Sequence, residues 1–250
     1  MKASIASELE HWYKKFINSK SEVENFIALD PVQFPRSFSK REDIEIAAFL
    51  AATIAWGRRD IIIRSAQRMF SLMEGSPAAF VMGEKYHYKT KNGNIRGSSL
   101  HRTFFEDDLG YFCNGFRHCF EKYGNLEKLF ASEADTWDGI ILFREEMAAA
   151  NLGRYSKHIA NPGAGSACKR INLALRWLVR PGPVDLHFWK KISPEALFIP
   201  LDVHVARTAR KLGLLQRKSN DRQAVVELTE KLRQFCPEDP VKYDFSLFGM

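Results

Sequence analysis

Wound at about 100° per residue, the stretch from Asp43 to Trp56, DIEIAAFLAATIAW, is apolar on nearly every side. A helix with no polar face has to be surrounded by other elements, so it predicts a helix buried on most sides. The rest of the chain supplies such neighbours, because almost every other periodic segment also reads as helix. IIIRSAQRMFSLM resumes as an amphipathic helix after a break at WGRRD, with Asp60 the expected cap, and Gly75-Ser76-Pro77 ends that pair. Helical patterns return at 104–121, 125–131, 138–150 and 166–180, and three later aspartates, Asp202, Asp221 and Asp239, each open a further helix. Residues 84–102 are polar and basic with an Asn-Gly signal, which predicts a loop or short hairpin. The expected fold is all-α: one continuous domain, 1–250, with a lobe of about 43–160 and a lobe of about 161–250 plus the N-terminal segment.

A chain of 250 residues, 45% hydrophobic and 27% charged, can bury one large core or two modest ones. It has no apolar run of membrane-spanning length, and MKASIASELEHWYKKF lacks the apolar centre of a signal peptide, so a cytoplasmic location is expected. Cys113, Cys119, Cys168 and Cys236 have the spacing of neither a zinc site nor an iron–sulfur cluster and read as core residues or inert thiols. No metal or cofactor is called for. The net charge of +7 favours a polyanionic partner only where it is localised.

It is localised on SACKRINLALRWLVR, residues 166–180. Ile171, Ala174, Leu175 and Leu178 share one helical face, and Lys169, Arg176 and Arg180 lie opposite as a basic stripe. The stripe is either solvated surface or a phosphate contact. Lys169 is an unexpected choice for stability alone, since a cation in the first turn opposes the helix dipole. That dipole, with Arg170 and Arg176 nearby, is expected to lower the amine pKa and make it a candidate nucleophile. Gly163 and Gly165, just upstream, would let backbone N–H groups approach a phosphate.

The second informative stretch is IPLDVHVARTARKLGLL, residues 199–215. Asp202 stands at the start of a helix whose exposed positions are basic, and Gly213 closes it. Capping alone accounts for such an aspartate.

In order along the chain, a glycine-rich turn, a helix-borne lysine, a Pro/Gly-rich connection and an aspartate capping a basic helix resemble the helix-hairpin-helix DNA glycosylase superfamily. Asp202-Val203-His204 is similar to the Asp-x-His tripeptide of several members. The resemblance implies Lys169 as Schiff-base nucleophile and Asp202 as the group that steadies the sugar cation. It also implies phosphate contacts at His204 and at the turn of Gly163, Gly165 and Ser166. AAFLAATIAWGRRD resembles the buried helix and wedge loop of that superfamily, implying wedge and phosphate contacts at Trp56, Arg58 and Arg59; Trp56 reads equally well as a core aromatic. The segment DPVKYDFSLFGM is similar to its penultimate core helix. Lys169 lies four residues after Gly165, further than in the usual signature, and 33 before Asp202 (202 − 169), a separation closer to that of archaeal 8-oxoguanine glycosylases. The whole chain also resembles a bacterial family of this size with no settled activity.

The superfamily resemblance implies two helical lobes around a cleft, a flipped base, and excision through Lys169 with help from Asp202 and no metal. The partner would be duplex DNA, with Arg170, Arg176 and Arg180 among the phosphate contacts. Phe188 and Trp189 in PGPVDLHFWKKISPEA either shape a base pocket or pack. Two other readings stand beside it: a non-catalytic DNA- or RNA-binding module of the same fold, and a helical protein-interaction domain with a solvated basic face.

Overall fold

The computed structural model describes residues 2–83, 86 and 97–250. In chain order the helices are α1 (Lys2–Asn18), α2 (Lys20–Leu29), α3 (Gln33–Arg36), α4 (Arg41–Thr53), α5 (Arg59–Ser71) and α6 (Pro77–Met82). A two-stranded antiparallel hairpin follows, β1 (Ser99–His101) with β2 (Phe104–Phe105). Then come α7 (Glu106–Tyr123), α8 (Leu126–Phe130), α9 (Thr136–Ala149), α10 (Lys169–Val179), α11 (Val203–Lys211), α12 (Arg222–Arg233) and α13 (Asp244–Gly249). The fold is mostly helical, as expected. Part of the expected loop at 84–102 falls outside the described residues; its end forms the hairpin. Among the described residues no helix is long and apolar enough to cross a membrane.

The chain divides into two compact units, one of residues 29–134 and 138–159, the other of 1–28, 135–137 and 160–250. In the first, α4 is buried at every residue from Asp43 to Thr53. The two carboxylates of this buried stretch are satisfied internally. Asp43 accepts from the Ala78 N–H at 2.7 Å, and Glu45 from the Leu126 N–H at 2.8 Å. Phe49 packs on Phe130 and Phe143, with ring centroids 5.6 and 4.9 Å away. The helix stops at Thr53 rather than running to Trp56, and Gly57 turns the chain with φ +101°. Asp60 does not cap α5, whose N-cap is Arg58; its carboxylate instead binds Arg58 and Arg64 at 3.0 and 3.1 Å.

The second unit is built around α10. This helix starts at Lys169, later than the pattern at 166–180 suggests, because Cys168 adopts a left-handed conformation with φ +47°. At its other end the connection 181–200 folds back and supplies donors for the last carbonyls. Leu186 N–H reaches Trp177, and those of Phe188 and Trp189 both reach Leu178. Trp189 is fully buried, so of the two alternatives for it, packing is correct.

The basic stripe is corrected here. Arg176 and Arg180 are only 3% and 0% exposed, so they are not a phosphate-facing surface. Asp185 accepts from both, at 3.3 Å from Arg176 Nε and 2.9 Å from Arg180 Nη1. Arg176 also donates to Asp244, while Arg180 donates to Asp239 at 3.0 Å and to the Tyr13 hydroxyl at 2.6 Å. The Phe245 ring lies 4.5 Å from one guanidinium and 5.4 Å from the other. The four cysteines are free and buried, and burial pushes the Cys119 thiol up to about 12.

Removing one partner from a buried ion network leaves an uncompensated charge. Arg180→Met keeps most of the side-chain volume and is expected to cost about 3–5 kcal/mol in urea unfolding. Arg64→Ala, which removes an exposed pair, is expected to leave the unfolding midpoint nearly unchanged. Equal effects from the two would remove the network from its structural role.

Candidate active site

Lys169 and Asp202 belong to the same unit, and the fold brings them together. Asp202 is the N-cap of α11: its Oδ1 accepts from the backbone N–H groups of His204 and Val205, both at 2.8 Å. The carboxylate is thereby held in one orientation. Its second oxygen, Oδ2, lies 3.5 Å from Lys169 Nζ, at the outer limit of a hydrogen bond. The lysine side chain is 36% exposed and the aspartate 14%, so the pair sits at a surface accessible from solvent. Gly213 closes α11 with φ +70°.

Behind the pair lies a carboxyl that the sequence reading missed. Asp244 opens α13, which packs against α11, and Arg176, two turns after Lys169 on α10, donates to its Oδ2. Its Oδ1 is buried without a hydrogen-bond partner. Burial pushes this carboxyl up to about 6; Arg176 opposes the rise, Asp202 adds to it, and Lys169 opposes it. The signal available in the sequence was a lone acid inside the apolar run YDFSLFG.

Residues 30–250 match the model of a family described as a protein of unknown function, DUF2400. The chain belongs to that family. No curated protein and no solved structure matches it.

In this DUF2400 chain the other expected contacts are distributed as follows. The turn before α10 is braced from within: the N–H of Gly165 donates to Pro162 and that of Ser166 to Asn161. The Gly165 carbonyl in turn accepts from Arg222 at the start of α12. Those two N–H groups therefore cannot cradle a phosphate, which corrects that expectation for Gly165 and Ser166. Gly163 is exposed and Arg170 half-buried, and burial pushes the Arg170 guanidinium below its ordinary value. His204 is exposed, with Arg207 and Lys211 exposed on the same side of α11 at helical spacing. This face, not Arg176 and Arg180, carries the accessible cations near Asp202.

Trp56, Arg58 and Arg59 lie in the other unit. The two arginines are exposed, while Trp56 is half-buried between histidines, 4.6 Å from the His101 ring and 5.8 Å from His158. His101 Nε2 lies 3.0 Å from the Trp56 carbonyl, which fixes the backbone there. Among the described residues no group of three or more His, Cys, Asp or Glu could hold a metal ion.

Asp202→Ala is expected to lower unfolding free energy by about 1 kcal/mol, and Asp202→Asn by only a few tenths to about 1, because Asn caps nearly as well. Urea unfolding of the two variants checks this. A several-fold larger loss in the Asn variant would make the carboxylate a buried structural anion.

Proposed function

We propose that this protein is a DNA glycosylase with lyase activity, built on the helix-hairpin-helix glycosylase fold, with Lys169 as nucleophile and Asp202 as its partner. The observation that carries the reading is the division of labour between the two oxygens of Asp202. One is spent on capping α11 and the other faces the Lys169 amine. A carboxylate fixed in this way is preorganised, so no reorganisation is needed when positive charge develops beside it.

The damaged base leaves the sugar with the bonding electron pair and takes up a proton, while charge builds at C1′ opposite the Asp202 carboxylate. Lys169 must be neutral to attack C1′; its proton passes by way of Asp202 Oδ2 to solvent, so the carboxylate is ionised again when charge builds at C1′. Loss of a second proton from the attached nitrogen and cleavage of the C1′–O4′ bond, with the ring oxygen taking up a proton, give the Schiff base; removal of a C2′ proton then expels the 3′ phosphate by β-elimination. Exposed His204, Arg207 and Lys211 suit contacts to the phosphates flanking a flipped nucleotide.

The test is borohydride trapping on duplexes carrying single lesions and on an abasic-site duplex, resolved on a denaturing gel. The wild-type protein is expected to form a covalent adduct, Lys169→Ala none, and Asp202→Asn one formed about 100–1,000-fold more slowly with the fold retained. Arg207→Ala and Lys211→Ala are each expected to reduce the salt slope of duplex binding by about one. Salt-dependent binding without any adduct on any duplex would replace the enzyme by a binding module.

A further inference from the structure

Where α9 ends, the chain makes two choices that both cost stability. The Gly153 N–H donates to the Ala148 carbonyl at 2.9 Å, a closure that puts Leu152 at the left-handed position where glycine usually stands. Leu152 takes that position with φ +58°, and Gly153 follows with φ +76°. A leucine is crowded by this backbone conformation, which a glycine adopts freely. Burial does not offset the strain, because Leu152 is 95% exposed.

The chain is pinned on both sides of it. Asn151 is buried; it donates to the carbonyls of Met147 and Tyr111 at 2.8 and 3.0 Å and accepts from Asn114 at 3.2 Å, which ties the turn to α7. The Arg154 N–H donates to the Asn151 carbonyl at 3.2 Å. The Tyr155 hydroxyl donates to Glu145 at 2.5 Å, and the Arg144 guanidinium lies 3.7 Å from the Tyr155 ring. A residue that is strained, solvated and held in place points to a role outside the fold's own stability.

The neighbouring side chains indicate the partner. Arg154, Tyr155 and Lys157 are exposed on the same loop, while the exposed acid beside them, Glu145, is bound by Arg144 and Tyr155. A protein interface surrounds its anchor with further apolar area. Between residues 145 and 157 the only other exposed large apolar side chain is Tyr155. One leucine among cations suits instead a narrow apolar slot bordered by anions, which is what the step between two base pairs presents.

We infer that Leu152 is an insertion residue for duplex nucleic acid, entering between two base pairs from the minor groove while Arg154 and Lys157 contact the phosphates alongside. Because the turn is already fixed, binding spends little on ordering it. The inference rests on the reading of this protein as one that binds duplex DNA, and it is independent of the chemistry at Lys169.

The test uses the full-length protein and a short undamaged duplex. Leu152→Gly removes the side chain and the strain together. It is expected to unfold in urea at the same or a higher midpoint than wild type, yet to bind the duplex about tenfold more weakly. Its salt slope stays that of wild type, whereas Arg154→Ala and Lys157→Ala each lower the slope by about one. A fluorescent aminopurine base, placed at each step in turn, reads unstacking directly: its emission rises with wild-type protein and not with Leu152→Gly. Equal affinities of wild type and Leu152→Gly, or binding without an aminopurine signal at any step, overturn the inference and leave the tip to a protein partner. Absence of duplex binding overturns it as well. Borohydride trapping is run in parallel: an insertion signal without an adduct keeps Leu152 and loses the glycosylase reading, and an adduct without the signal does the reverse.

Discussion

The buried ion network of Arg176, Arg180, Asp185, Asp239 and Asp244 is the constraint on which the rest of its unit depends. Each of these charges has left water at a cost of several kcal/mol, offset only when its partners stand within hydrogen-bond reach. The partners come from α10, the Pro-rich connection, the turn before α13 and the start of α13. A slip of any one by a single residue would strand a charge in the interior. The network therefore fixes α10 against the C-terminal segment, and Phe245, lying against both guanidinia, fills the space that polar atoms leave. Lys169 is on the same helix face as Arg176, and Asp202 caps the helix that packs on α13. Their approach is set by this frame: Arg176 ties α10 to α13, and α13 packs on α11.

Capping and chemistry at Asp202 are usually posed as alternatives. Here the cap and the approach to Lys169 use different atoms. The two backbone N–H groups that Oδ1 accepts are orphan donors of α11, and satisfying them stabilises the helix whatever else the residue does. The same two bonds fix the carboxylate plane and aim Oδ2 at Lys169. A side chain that capped through both oxygens, or a hydroxyl cap with a single oxygen, could not do this. The cap is thus the device that orients the group.

Much of the architecture was legible in the sequence, because it follows from local rules. The all-apolar winding of Asp43–Thr53 required burial and received it. Asp202 and Asp221 cap the helices they precede, whereas Ser76-Pro77, read only as the end of a helix pair, also opens α6. The misses share a different cause. A helical wheel showed that Arg176 and Arg180 lie opposite the aliphatic face, but not what lies against them. Their partners are 5, 9, 59, 68 and 167 residues away in the chain, none at the spacing of helical neighbours. The default that a charged face meets water therefore misplaced them. Asp60 failed as a cap because Arg58 and Arg64 compete for its carboxylate, and nothing local marks Cys168 for a left-handed conformation. Asp244 was hidden for the same reason as the arginines, since its significance lies wholly in what surrounds it.

The choice of cation at each position also carries meaning. The two deep cations are arginines, whose guanidinium stays charged and whose forked donors can hold carboxylates on more than one side. Nothing about the reaction proposed asks these positions to change charge, and a group that could shed its proton there would weaken the network. The cation at the accessible rim is a lysine, which makes a single contact with Asp202 and can lose a proton. An arginine at 169 would complete the electrostatics equally well and would add donors for Asp202. It would also fix the positive charge permanently, and with it any prospect of a nitrogen nucleophile. Fixed charge in the interior and labile charge at the rim is the arrangement a lysine-based transfer requires.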